Sequence, residues 1–183
     1  MTTLLPPTPA QTIGPFYGYA LPFGGDNELV PPRSPDAVRF HGQVVDGDGQ
    51  PVPDVLLEIW QANADGTIPR TAGSLKRDGW TFSGWGRCAT DDAGDYSFST
   101  VPPGPIGGAA PYFLLTVFGR GLLHRLFTRA YLPGPLTDED TFLAGVPAER
   151  RHTLIAERDR DGYRFDIHLQ GEDETVFLHY PGQ

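Results

Sequence analysis

The 183-residue sequence predicts an all-β protein, a β-sandwich with an irregular N-terminal arm, long loops and little helix. Three observations carry this. Apolar and polar residues alternate at period two in several short segments, the pattern of strands that bury one face. Turn signals separate those segments roughly every 8 to 12 residues. The 23 Gly and 19 Pro follow no repeat, so they punctuate a loop-rich domain instead of building a fibrous one. A chain of this length supports one core, expected over residues 37–183, with residues 1–36 as an extended arm that contacts a partner or its own domain.

In chain order, residues 1–36 are proline-rich and end in VPPRSPD. Proline withholds the amide that a ladder needs, so this segment cannot form sheet by itself. It still carries Ile13, Phe16, Tyr17, Tyr19, Leu21 and Phe23, an apolar set that needs a surface to lie on. Alternation begins in VRFHGQVVD, where Val38, Phe40, Gly42 and Val44 oppose Arg39, His41 and Gln43. DGDGQPVPD is a turn, since Gly supplies positive φ and Pro a fixed one. VLLEIWQA follows as a strand with Leu57, Ile59 and Gln61 on one face and Leu56, Glu58 and Trp60 on the other. DDAGDYSFSTV is another turn and strand. YFLLTVF is nearly all apolar, as expected of a strand covered on both faces. LLHRLFTRAYL fits helix or strand, and the flanking Gly121 and Pro133 favour strand. TLIAERDRDGYRFDIHLQ predicts a hairpin about RDRDG with Tyr163, Phe165, Ile167 and Leu169 on one face, and ETVFLHY a closing strand. The one helix expected is short, near VPAERRH, with Pro147 in its first turn.

A net charge of −9 disfavours nucleic acid and anionic membrane as partners. The single cysteine, Cys88, rules out an internal disulfide and any cysteine-cluster metal site. The start has no basic segment followed by an apolar run, and nothing approaches a membrane-spanning length, so a soluble cytoplasmic protein is expected.

Chemistry-bearing residues are sparse. His41, His124, His152, His168 and His179 include no H-x-H pair, the spacing that puts two imidazoles on one face of a strand. The tyrosines are simplest as sheet aromatics. Cys88 has no activating neighbour in sequence and is expected to be a buried, inert thiol. The acidic runs LTDEDTF and QGEDET are simplest as solvated loops. Arg129 stands out: in LFTRAYL it shares a strand face with Phe127 and Tyr131. A buried guanidinium needs an anionic partner, which is an internal carboxylate, an anionic ligand or a partner chain. Arg87 raises the same question. The stretch PGPIGGAAPYFLLTVFGRG, residues 103–121, sits where a strand-borne metal site would be convenient, yet offers one tyrosine, no histidine and no carboxylate.

TPAQTIGPFYGYAL, GQVVDGDGQPVPDVLLEIWQANADG, GWGRCATDDAGDYSFSTVPPGPI and TRAYLPG, in that order, resemble the intradiol ring-cleavage dioxygenases, and within them the iron-free alpha type of chain. The resemblance implies αβ protomers in a larger oligomer, with Fe(III) held by two tyrosines and two histidines on the beta partner chain. Carried over, those ligand positions fall around Ser74 or Leu75 and on Ile106, Tyr112 and Leu114, so no metal and no catalytic residue are expected on this chain. Thr12, Gly14, Pro15 and Arg129 match positions that contribute to the partner's substrate pocket. The implied chemistry is chelation of a carboxylated catechol by Fe(III) and insertion of O2 between the two hydroxyl-bearing carbons. Two alternatives are a transthyretin-like sandwich that binds a ligand without catalysis, and an independent enzyme with rearranged ligands, which the lack of any H-x-H disfavours.

Overall fold

The computed structural model describes residues 9, 11–14, 16–71 and 77–180. Its strands are β1 (Val38–Val45), β2 (Leu56–Trp60), β3 (Trp85–Ala89), β4 (Asp95–Thr100), β5 (Tyr112–Phe118), β6 (Leu126–Tyr131), β7 (Glu157–Arg158), β8 (Gly162–Arg164) and β9 (Ile167–His168). One sheet has the order β4-β1-β8-β7, with β9 also pairing β1; the other has the order β3-β2-β5-β6. The inner faces of both supply one apolar core, in which Phe40 from the first sheet stacks on Phe113 from the second with ring centroids 4.1 Å apart. Such a pair adds about 1 kcal/mol beyond its buried area. Period-two alternation is why these residues meet: Phe40, Gly42 and Val44 are buried on β1, and Leu57 and Ile59 on β2. Gly42 is obligatory, because a Cβ there would lie 2.0 Å from the Phe165 carbonyl oxygen.

The hairpin about RDRDG forms as β7 and β8, and the Asp159 carboxylate closes it by accepting from the amides of Asp161 (2.9 Å) and Gly162 (2.8 Å). Tyr163, Phe165 and Ile167 are buried, with Leu169 packed beside them.

Several expectations change. β5 is fully covered on its inner face, at Phe113, Leu115 and Val117, while on its outer face Thr116 is buried and Tyr112, Leu114 and Phe118 are only half-buried. ETVFLHY is not a strand and keeps only an isolated bridge between Leu178 and Phe127. Its amides are taken elsewhere, that of Thr175 by the His168 carbonyl and that of Val176 by the Thr153 hydroxyl. β3 was not expected, since its half-exposed residues show no clean alternation. Near VPAERRH the chain forms a 3-10 helix, Ala148–Leu154, with Pro147 as the preceding cap instead of in the first turn. Three one-turn helices are additional: α1 (Tyr17–Ala20), α2 (Pro135–Glu139) and α3 (Thr141–Ala144). No helix among the described residues is long and apolar enough to cross a membrane.

The arm from residue 16 onward lies on its own domain. The Tyr17 hydroxyl reaches the carbonyls of Asp54 and Phe118 (3.2 Å for the second), Phe23 stacks on Trp85, and the Leu29 amide donates to Ser99. Phe16 and Tyr19 nevertheless stay 80% and 76% exposed, which leaves them free to meet another chain.

Candidate functional site

Three of the matched positions, Tyr112, Leu114 and Arg129, lie on the β5-β6 half of the β3-β2-β5-β6 sheet. Register sets Trp85, Trp60, Leu114 and Arg129 in one row across the four strands, and Tyr112 beside Tyr131 in the next row. The loop entering β5 is fixed by two glycines. A Cβ on Gly66 would sit 2.1 Å from the Pro105 oxygen, and one on Gly104 would sit 2.4 Å from Ala64 oxygen and Gly66 nitrogen. The Gly104 amide also donates to Asn63. WQANADG and PPGPI therefore clamp each other backbone to backbone, an approach that only glycine at 66 and 104 allows.

Arg129 has no carboxylate within ion-pair distance among the described residues. Its guanidinium carbon instead stands 4.5 Å from the Tyr112 ring centre and 4.6 Å from that of Phe142, and Nη1 donates to the Tyr131 hydroxyl at 2.9 Å. The Tyr131 hydroxyl in turn lies 3.5 Å from Asp140 Oδ1. Burial pushes the Tyr131 phenol pKa up, with Arg129 pulling the other way, so the ring stays protonated and able to donate onward. Arg129 Nε is buried without a partner. Of the three partners open to Arg129, the internal carboxylate is therefore present only at second hand, through a phenol.

Asp140 corrects the expectation for LTDEDTF. It is 4% exposed, and its carboxylate accepts from the amides of Phe142 (2.9 Å), Leu143 (3.0 Å) and, from across the loop, Ala110 (3.0 Å). This residue ties α3 to the loop before β5 and sets Phe142 over Arg129. A D-x-x cap before an apolar pair, DTFL, was the available signal. Arg87 is an ordinary structural ion pair, with Nη2 2.6 Å from Glu58 Oε1.

The matched ligand positions do not fit a ferric ion. Ile106 and Leu114 carry no donor atom, and the Tyr112 ring is engaged by a guanidinium. Ser74 and Leu75 lie outside the described residues, as does Pro15. Among the described residues, no group of three or more His, Cys, Asp and Glu side chains could hold a metal ion. Thr12 and Gly14 are exposed at the other end of the sheet, where the Thr12 hydroxyl accepts from the Gly121 amide at 2.7 Å in the β5–β6 turn. Leu114, opposite Arg129, is four residues from the end of β5 at Phe118, about 13 Å of strand. The structure thus does not bring Arg129 together with Thr12 and Gly14.

Cys88 is half-buried on β3, and burial pushes its thiol pKa up to about 11. At pH 8 the thiolate fraction falls about 100-fold relative to an ordinary thiol. The folded chain should react with an aromatic disulfide reagent that much more slowly than the unfolded chain, and comparable rates would show that the thiol is open.

A family model described as dioxygenase matches residues 30–120. That match puts the chain in the dioxygenase class. It is 38% identical to the protocatechuate 3,4-dioxygenase alpha chain of Burkholderia cepacia, over 96% of this chain and 98% of that one. It is 40% identical to the alpha chain of the same name from Pseudomonas putida, over 97% and 98%. Among solved structures, the dioxygenase domain of a dioxygenase carbohydrate-binding protein fusion from Streptomyces sp. SirexAA-E superposes with a TM-score of 0.59 at 25% identity, covering 91% of this chain and 99% of that one. The chain belongs to the intradiol ring-cleavage dioxygenase family, and along nearly its whole length it is similar to protocatechuate 3,4-dioxygenase alpha chains. The binding-module alternative explained only the turn-and-strand pattern and leaves this end-to-end similarity unaccounted for.

Proposed function

We propose that this chain is the iron-free alpha subunit of a cytoplasmic protocatechuate 3,4-dioxygenase, a β-sandwich that completes and stabilises an active site on an iron-bearing beta chain. The similarity to alpha chains over almost the full length is the observation that carries the reading. It is supported by ligand positions that hold Ile106, an engaged Tyr112 and Leu114. A ferric ion held by the beta chain would supply the activation of the catechol toward O2 that yields 3-carboxy-cis,cis-muconate.

The parts left to this chain are positioning and charge. Thr12, Gly14 and Pro15 present arm backbone to the partner's pocket, where small side chains allow close approach to a flat ring. Arg129, lacking a carboxylate in contact, leaves positive charge on the outer sheet face, which suits a carboxylated substrate.

Iron content and the visible spectrum test this directly, on the chain purified alone and with its beta partner. A tyrosinate-to-Fe(III) band and oxygen uptake with protocatechuate are expected only with the partner. A chain that is coloured and active alone would overturn the assignment.

A further inference from the structure

Among the described residues the most exposed large hydrophobic side chain is that of Trp80, at 94%. It stands on a turn built to hold it there. The Asp78 carboxylate accepts from the amides of Trp80 (2.8 Å) and Thr81 (2.7 Å) and from the Thr81 hydroxyl (2.7 Å), and Gly79 between them adopts φ +76°. Arg77 anchors the base of the turn by donating to Ser83 Oγ and to the carbonyls of Asp26 and Trp85. An indole kept out on a pre-organised turn loses little side-chain freedom on docking, which is what makes tryptophan an interface anchor.

A matching receptor lies on the same chain. Between α3, the 3-10 helix and the segment after β9 runs a 610 Å³ groove walled by Phe142, Val146, Val176 and Phe177. Its charged lining is Arg150 and Glu174, neither of which is in an ion pair among the described residues. Arg150 gives one nitrogen to the Glu174 carbonyl, and its Nε is buried without a partner. The Trp80 turn offers the complement of each feature: an indole for the apolar walls, an indole N–H for the Glu174 carboxylate, and the Asp78 carboxylate for the Arg150 guanidinium.

Trp80 precedes β3 and the groove adjoins β6, the two opposite edges of one four-stranded sheet. A chain therefore cannot fill its own groove. We infer that Trp80 docks into the Phe142–Phe177 groove of a second copy of this chain, making a head-to-tail contact between copies within the assembly. Such a heterologous contact closes into rings when the rotation allows. The inference does not depend on which reaction the assembly catalyses.

Two variants separate knob from hole. Trp80→Ala removes the indole, and Thr141→Trp fills the groove from its exposed rim. Each, expressed with whatever partner chain accompanies the native protein, should raise the concentration for half-assembly at least tenfold by sedimentation velocity, without moving the thermal midpoint. Mixed together they retain one good knob and one good hole, so native mass spectrometry should find particles holding one copy of each variant. An unchanged assembly in Trp80→Ala overturns the inference. So does weakening in both variants with no mixed particle, which would place Trp80 against a different chain.

Discussion

Replacing Asp140 with alanine is expected to cost the chain about 3–5 kcal/mol of stability. The side chain is almost fully buried and satisfies three backbone amides, those of Ala110, Phe142 and Leu143. Each amide left without an acceptor costs about 1–3 kcal/mol, and water entering the vacated space recovers part of the sum. The Tyr131 hydroxyl also loses its acceptor, and the stack of Phe142 on Arg129 loses its anchor. Asp140→Asn keeps one acceptor oxygen and should cost less than half as much. The measurement is the denaturant midpoint of each variant at unchanged slope. A loss under 1 kcal/mol in the alanine variant would mean that the loop before β5 and α3 are held by packing alone.

Asp140 also shows where the sequence stopped being legible. Strands β1, β2 and β4 followed from alternation, because Phe40, Gly42 and Val44, Leu57 and Ile59, and Tyr96 and Phe98 are buried at every second position and the period appears directly in the residues. β3 did not, since Trp85, Arg87, Cys88 and Ala89 are all half-buried and present no contrast to read. The acidic run LTDEDTF looked solvated because composition cannot distinguish a carboxylate facing water from one that collects amides out of a distant loop. The donor from Ala110 arrives from thirty residues away. ETVFLHY had strand composition, but strand formation requires a free neighbour, and its amides were claimed by Thr153 and by His168.

The site was legible to a different degree. That Ile106 and Leu114 cannot ligate a metal follows from residue type alone. That Arg129 would find a phenol and two rings in place of a carboxylate did not follow, because the rings come from β5 and α3 and the phenol from its own strand two residues on. The arm was ambiguous for a physical reason. Its aromatic residues split, with Tyr17 and Phe23 packed on the domain and Phe16 and Tyr19 left outside. One use foreseen for the arm, lying on its own domain, is seen in Tyr17 and Phe23, and Phe16 and Tyr19 remain exposed.

That division makes Gly14 the sharpest test of the arm's role. Gly14→Val should leave the folding of this chain unchanged: no heavy atom lies within 4 Å of the position a Cβ would take, and φ there is not in the left-handed region. Contrast Gly42, where even a methyl group collides with the backbone of Phe165. If the arm lies against the partner's pocket, two added methyl groups at Gly14 will stand where the substrate ring must approach. Oxygen uptake by the assembled complex with protocatechuate should then fall at least about tenfold in kcat/KM, or about 1.4 kcal/mol of transition-state stabilisation. The iron content and colour of the complex should not change, because this chain contributes no ligand. A loss of iron would instead point to failed assembly, which sedimentation of the same sample distinguishes. Full turnover in a correctly assembled Gly14→Val complex would remove the arm from the active site and leave Arg129, about 13 Å or more along the sheet from the turn that Thr12 touches, as the position of this chain still proposed to face the substrate.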